Sequence, residues 1–149
     1  MVYNSPPVGS LISYSMWGIN KKLIKDNLKL EDIFYRALEE DNFNILERSK
    51  HKFKPCGITL NAILSESDAS MSTYIEYNKV VFHLESCRRP NDGKKACDYL
   101  KKNINPLSEL LITIEIPIDP DRINKYKITD RFNKESYSIN FLLQQHKTQ

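Results

Sequence analysis

Stretches of two-residue alternation constrain this chain most. Ile58, Leu60, Ala62 and Leu64 alternate with Thr59, Asn61 and Ile63, and Val80, Phe82 and Leu84 alternate with Val81, His83 and Glu85. Leu110, Ile112, Ile114, Ile116 and Ile118 also recur at every second position. Side chains of a strand point to opposite faces in turn, so these patterns predict strands over 58–64, 79–87 and 110–118. Leu11–Trp17, closed by Gly18 and Asn20, and Phe43–Phe53, ended by Pro55 and Gly57, read as two more. A helix is expected between Lys21 and Glu40, where Leu30, Ile33, Phe34, Ala37 and Leu38 form a stripe at three-and-four spacing. A second is expected over Lys94–Ile104, burying Ala96, Cys97, Leu100 and Ile104, with Asn91 or Asp92 as its N-cap after a turn at Arg88–Gly93. Ser65–Asn78 reads as a polar connection.

The resulting order is β-α-β-β-β-α-β. Helices do not follow every strand, so the expected class is α+β: a two-layer sandwich with a mainly antiparallel sheet and two helices on one face. Two helices cover one sheet face, which leaves the other to solvent or to a second subunit. The 149 residues suit one domain, placed at 1–120. Residues 121–149 form a charged, weakly patterned C-terminal extension, in which Phe141, Leu142 and Leu143 either dock on the body or belong to a loose tail.

Composition narrows the partners. The net charge of +3 is a mild excess, and Phe53 and Pro55 interrupt the basic run Lys50, His51, Lys52 and Lys54. Phosphate neutralisation needs a broader basic face, so no nucleic-acid partner is expected. Cys56, Cys87 and Cys97 form no CxxC pair, which argues against a metal site or a disulfide framework and for a reducing compartment. Met1–Ser10 is polar and unlike a signal peptide, and Leu110–Ile118 is too short to span a bilayer and contains Glu115. A cytoplasmic protein without a membrane partner is expected.

The polar connection carries the chemical signal: Leu64-Ser65-Glu66-Ser67-Asp68-Ala69-Ser70-Met71-Ser72-Thr73-Tyr74-Ile75-Glu76-Tyr77. It closely resembles the self-cleavage motif of bacterial and archaeal S-adenosylmethionine decarboxylases. His51-Lys52-Phe53-Lys54-Pro55-Cys56-Gly57-Ile58-Thr59 is similar to a second family element, and Cys87 falls at the family's distance from the serine. The resemblance implies a proenzyme cut between Glu66 and Ser67, with Ser67 becoming a pyruvoyl group, the only cofactor. It further implies that Cys87 donates the final proton, Thr59 assists processing, Phe53 stacks on the substrate adenine and Glu76 binds the ribose hydroxyls. The implied substrate is S-adenosylmethionine, on the route to spermidine. The implied assembly is a homodimer whose sheets face one another with the site near their interface.

These residue types suit the reaction. A serine hydroxyl attacks its preceding carbonyl when the backbone is held in a strained turn, giving an ester by N-to-O acyl shift. Removal of the serine Cα proton then eliminates the Glu66 carboxylate, and the dehydroalanine left behind tautomerises and hydrolyses to the pyruvoyl group. Its ketone takes a substrate amine as a Schiff base, an electron sink for the departing carboxylate. A thiol near its ordinary pKa of about 8.5 is a suitable donor for the closing protonation. As ordinary residues, Cys87 would be a small apolar strand residue, Phe53 core, Glu76 and Thr59 surface, and Ser67 a loop serine.

The chain departs from the family at Ser72, where a histidine is the expected base for elimination. A hydroxyl is no base near neutral pH, whereas an imidazole with a pKa of about 6.5 is. Asp68 replaces another histidine, Ile75 a proline, and Ser86-Cys87-Arg88 a Thr-Cys-Gly turn. His83 shares a strand face with Cys87, but four residues span about 13 Å, which makes it a surface histidine. Two further readings stand: a decarboxylase of arginine or ornithine, and a non-processing homologue that binds a ligand or an active relative.

Overall fold

The computed structural model describes residues 4–119, 121, 128–130 and 136–137. Strand β1 (Val8–Trp17) buries Ser10, Ile12, Tyr14 and Met16 on one side and leaves Leu11, Ser13, Ser15 and Trp17 half-buried on the other. A 3-10 turn at Leu23–Lys25 precedes helix α1 (Asn27–Glu40). Asp26 caps α1 by accepting a hydrogen bond from the Lys29 amide at 3.0 Å. The expected stripe of Leu30, Ile33, Phe34, Ala37 and Leu38 is buried, together with Tyr35. Strands β2 (Ile45–Lys52), β3 (Ile58–Leu64), β4 (Ser67–Tyr74) and β5 (Lys79–Ser86) follow, then α2 (Lys94–Ile104) and β6 (Ser108–Pro117).

The α+β class stands, but the order gains a strand: β4 occupies the stretch read as a polar connection. Serine, aspartate and threonine are uneven strand formers, and β-propensity yields to context. Here Ala69 and Met71 alternate onto the buried side, and both edges of β4 pair, with β3 and with β5. The sheet order is β2-β3-β4-β5-β1-β6, every neighbouring pair antiparallel. Short strands β7 (Ile128–Asp130) and β8 (Ser136–Tyr137) extend it beyond β6, so part of the C-terminal extension continues the sheet. Phe141, Leu142 and Leu143 lie outside the described residues.

The second helix starts differently from expectation. Gly93, with φ 78°, is the N-cap of α2, and neither Asn91 nor Asp92 fills that role. Asp92 is drawn into a buried cluster, and the Ala96 amide donates instead to the Asp41 carboxylate at 2.9 Å. A side chain on Gly93 would collide with Ile12 and Leu84 at 2.6 Å, so glycine is needed for both φ and space.

Both helices share one core with the sheet residues Ile12, Tyr14, Met16, Ile58, Leu60, Met71, Phe82 and Leu84. Phe34 meets Phe82 edge to face at 6.1 Å, and each fully buried side chain of this size contributes roughly 1.5–3 kcal/mol. Leu111 pairs with Tyr14 and is buried, so the alternate stripe of Leu110, Ile112, Ile114 and Ile116 lies half-buried on the opposite face. That helix-free face also carries Thr59, Ser72, Val81 and Ser15 in one row across four strands. Among the described residues no helix is long and apolar enough to cross a membrane.

Candidate active site

The Glu66–Ser67 peptide sits at the tightest turn of the sheet. Leu64 pairs with Ser67, leaving Ser65 and Glu66 as a two-residue hairpin loop. Such hairpins ordinarily place positive φ on the loop residues themselves. Here it falls on Ser67, at 147°, a conformation costing a non-glycine residue about 1–3 kcal/mol. The peptide is also fixed by its neighbours. The Cys87 amide donates to the Glu66 carbonyl oxygen at 2.9 Å, and the Ser65 amide donates to the Asn44 carbonyl at 3.0 Å. The Ser67 hydroxyl donates to Asp68 Oδ1 at 3.4 Å. Strain, a hydrogen-bonded carbonyl and a neighbouring carboxylate thus converge on one peptide bond.

A buried ionic cluster holds Cys87 in place. Arg88 Nε donates to Asp92 Oδ2 at 2.7 Å, while its two terminal nitrogens reach Asp92 Oδ1 at 2.9 Å, the Asp41 carbonyl at 2.8 Å and Asp41 Oδ1 at 3.1 Å. The guanidinium also lies 3.6 Å from the centre of the Phe43 ring. The Ser86 hydroxyl donates to Asp92 Oδ2 at 2.6 Å, and the Asp92 amide donates to the Ser10 hydroxyl at 3.2 Å. Side-chain exposure is 19% for Arg88, 3% for Asp41 and 0% for Asp92, so this is an interior cluster. Burial alone would raise the Asp92 carboxyl, but hydrogen bonds from Arg88, Ser86 and the Gly93 amide outweigh it and hold the group below the usual carboxylate range. Burial likewise works against the Arg88 charge, and its bonds to Asp92 and Asp41 reverse the effect. Sequence reasoning missed Asp41, Ser86 and Asp92 here. The one available signal was the arginine standing where the family turn has glycine.

The remaining expected residues lie towards the other end of β4. The Thr59 and Ser72 hydroxyls are 3.0 Å apart on the helix-free face. Phe53, Pro55, Gly57, Thr73, Ile75 and Glu76 line a cleft of about 470 Å³. Phe53 is 49% exposed, so its ring is available for stacking. Gly57 has φ 120°, and a Cβ there would come within 3.3 Å of the Thr73 hydroxyl that accepts from the Ile58 amide. The His51 ring packs edge-on to Phe53 at 4.7 Å. His83 lies exposed between Ser70 and Ser13, as expected for a surface histidine.

One chain therefore unites Glu66, Ser67 and Cys87 but not the whole set. Five residues of extended strand place Ser72 about 17 Å from Ser67, and the seven to Tyr74 place the Glu76 end beyond about 23 Å. A larger hollow of about 520 Å³ between α1 and β2 is lined by the ion pairs Arg36–Asp32, Arg48–Glu39 and Lys50–Glu31, and contains none of the motif residues. Among the described residues no group of three or more His, Cys, Asp or Glu is placed to hold a metal.

Residues 10–114 match the S-adenosylmethionine decarboxylase family. The chain belongs to this family. A relative from Bacillus cereus, named S-adenosylmethionine decarboxylase proenzyme 2, is 31% identical over 66% of this chain and 80% of its own length. Another, from Caldivirga maquilingensis, is named arginine decarboxylase proenzyme and is 26% identical over 66% of this chain and 76% of its own. The crystal structure of the adenosylmethionine decarboxylase from Aquifex aeolicus superposes with a TM-score of 0.66 at 20% identity, covering 72% of this chain and 88% of that one. Its likeness establishes the fold, with the six-stranded antiparallel sheet and two helices.

Proposed function

We propose that this family member cuts itself between Glu66 and Ser67 and, as a cytoplasmic carboxy-lyase, decarboxylates S-adenosylmethionine for spermidine synthesis. The observation that carries this reading is the strained Ser67 beside a Glu66 carbonyl that already accepts the Cys87 amide at 2.9 Å. As the serine oxygen attacks, negative charge develops on that carbonyl oxygen, where a fixed N–H donor stabilises it. Release of the strain at Ser67 favours the ester. The residues fit a pyruvoyl group made from Ser67, which supplies an electrophilic ketone to hold the substrate amine and withdraw electrons from the breaking bond. Cys87, whose backbone serves the cut, carries the thiol that returns a proton to the substrate.

The separation of Ser67 from Ser72 and Glu76 supports a homodimer as the working unit. A two-fold axis running across the strands, between two helix-free faces, would lay the Ser67 end of one sheet over the Thr59, Ser72, Phe53 and Glu76 end of the other. Phe53 would then stack on an adenine and Glu76 accept from ribose hydroxyls. Together the two groups suit the base and the sugar of a nucleoside-containing small molecule.

Intact mass measurement tests the reading. The protein should resolve into Met1–Glu66 and a pyruvoyl-started segment ending at Gln149, and Ser67→Ala should remain one chain. Ser72 favours the rival reading of a non-processing homologue. Persistence of the full chain after prolonged incubation, with no reactive ester at residue 67, would establish that rival. Loss of a positioned base costs about 10²–10⁴-fold, so Ser72→His should accelerate cleavage by a factor in that range. An unchanged rate would reject the missing base as the limitation.

A further inference from the structure

We propose that Asp68 is the general base of self-cleavage, taking the hydroxyl proton of Ser67 as the acyl shift begins. The inference rests on the self-cleaving reading above and assigns a residue to its first step. The family role expected at position 72 belongs to the later elimination. Within one chain, Ser72 is about 17 Å from Ser67 in any case. Asp68, by contrast, touches the reacting atom: the Ser67 hydroxyl donates to its Oδ1 at 3.4 Å. A general base needs this direction of hydrogen bond, and such contacts are often long before the reacting geometry is reached. An aspartate is ionised at neutral pH and accepts a proton, which a second hydroxyl cannot do.

Asp68 is exposed and lies on the helix-free face, paired with Ile63 on β3 and with Glu85 on β5. The charged or titratable groups facing it are Glu85 directly opposite, His83 two residues along the same strand, Glu66 across the turn, and Glu47 on β2 beyond Ile63.

The step balances without any co-reactant. The Ser67 Oγ–H proton passes to the Asp68 carboxylate while Oγ bonds to the Glu66 carbonyl carbon. The carbonyl electrons move onto the oxygen held by the Cys87 amide. Collapse breaks the C–N bond, Asp68 returns the proton to the departing Ser67 nitrogen, and an ester with a free amine remains. With Ser72 supplying no base, elimination is the slow step, so the ester should accumulate before the two-chain product forms.

Hydroxylamine, which cleaves esters and spares peptide bonds under mild conditions, tests the assignment on the full-length protein. Wild type should be cut between residues 66 and 67 on addition of hydroxylamine. Asp68→Asn should give at least tenfold less cut chain at the same time point, with Asp68→Glu restoring much of it. An unchanged melting temperature in Asp68→Asn excludes loss of fold as the cause. Equal yields from wild type and Asp68→Asn would overturn the assignment and leave the self-cleaving reading intact. Accumulation of the ester in Asp68→Asn would also overturn it, since Asp68 would then act after the shift. A wild type that neither cuts itself nor reacts with hydroxylamine defeats the parent reading itself.

Discussion

The two ends of β4 are ordered in different ways. At Ser67 the backbone is strained and its neighbours are fixed through an interior cluster of Arg88, Asp92 and Asp41, with little freedom to adjust. At Tyr74 the chain opens into a cleft with the exposed Glu76 and the half-exposed Phe53 on its walls. The first arrangement suits a covalent event that occurs once per molecule and must be aimed by the fold. The second suits repeated, reversible contact with a small molecule. An eight-residue strand separates them, so within a single chain the strained peptide and the cleft stand apart.

Complementation gives the largest effect and could break this division outright. Ser67→Ala and Glu76→Gln should each be nearly inactive as homodimers. If the halves come from different copies, co-expressing the two variants should restore about a quarter of wild-type activity, because half the dimers are mixed and each mixed dimer has one intact site. Failure to restore any activity, with mixed dimers shown to form, would mean that the two ends do not meet across a sheet-to-sheet interface.

A second substitution separates two roles at the strained end. Cys87→Ala removes the thiol but keeps the backbone amide that holds the Glu66 carbonyl. Self-cleavage should proceed at close to the wild-type rate, while decarboxylation falls by about 10²–10⁴-fold for loss of a positioned proton donor. If cleavage slows by as much as turnover, the side chain and not the amide serves the cut.

The two ends also differ in how far they were legible in the sequence. Motif spacing marked Glu66, Ser67, Cys87, Phe53 and Glu76; alternation placed three of the six main strands, and the breakers at Gly18, Asn20, Pro55 and Gly57 placed two more. Strand β4 escaped because serines and an aspartate alternate with only two apolar residues, Ala69 and Met71, which makes the period of two faint. The Arg88 cluster escaped for a different reason. Asp41 ends α1 and Asp92 precedes α2, and only the packing of the two helices brings their carboxylates to one guanidinium. Periodicity reports which face a residue takes, not which ions meet behind it. For the same reason, the distance along β4 between Ser67 and the cleft at Glu76 could not be read before the register was known.

That cluster gives the smallest but most diagnostic effect. Arg88→Ala strips the fully buried Asp92 of its principal cation and leaves it only the exposed Arg89 at 3.3 Å, a loss that typically costs up to about 3–5 kcal/mol. The sign of its pH dependence follows from Asp92. In the wild type the folded-state carboxyl is held low, so its contribution is complete above the unfolded value of about 3.9 and is lost as pH falls through the lower folded value. In the variant burial is opposed only by Ser86, the Gly93 amide and the exposed Arg89, so the folded carboxyl rises relative to the wild type. Melting temperatures of wild type and Arg88→Ala should therefore lie far apart at pH 7 and converge towards pH 4 and below. Self-cleavage should slow in the variant at neutral pH even under conditions where it is fully folded, because Cys87 lies between Ser86 and Arg88, both anchored to Asp92. The open end should not register the change: adenosine binding at the Phe53 cleft should be the same in both proteins. A loss of that binding in folded Arg88→Ala would show that the two ends are coupled through the strand.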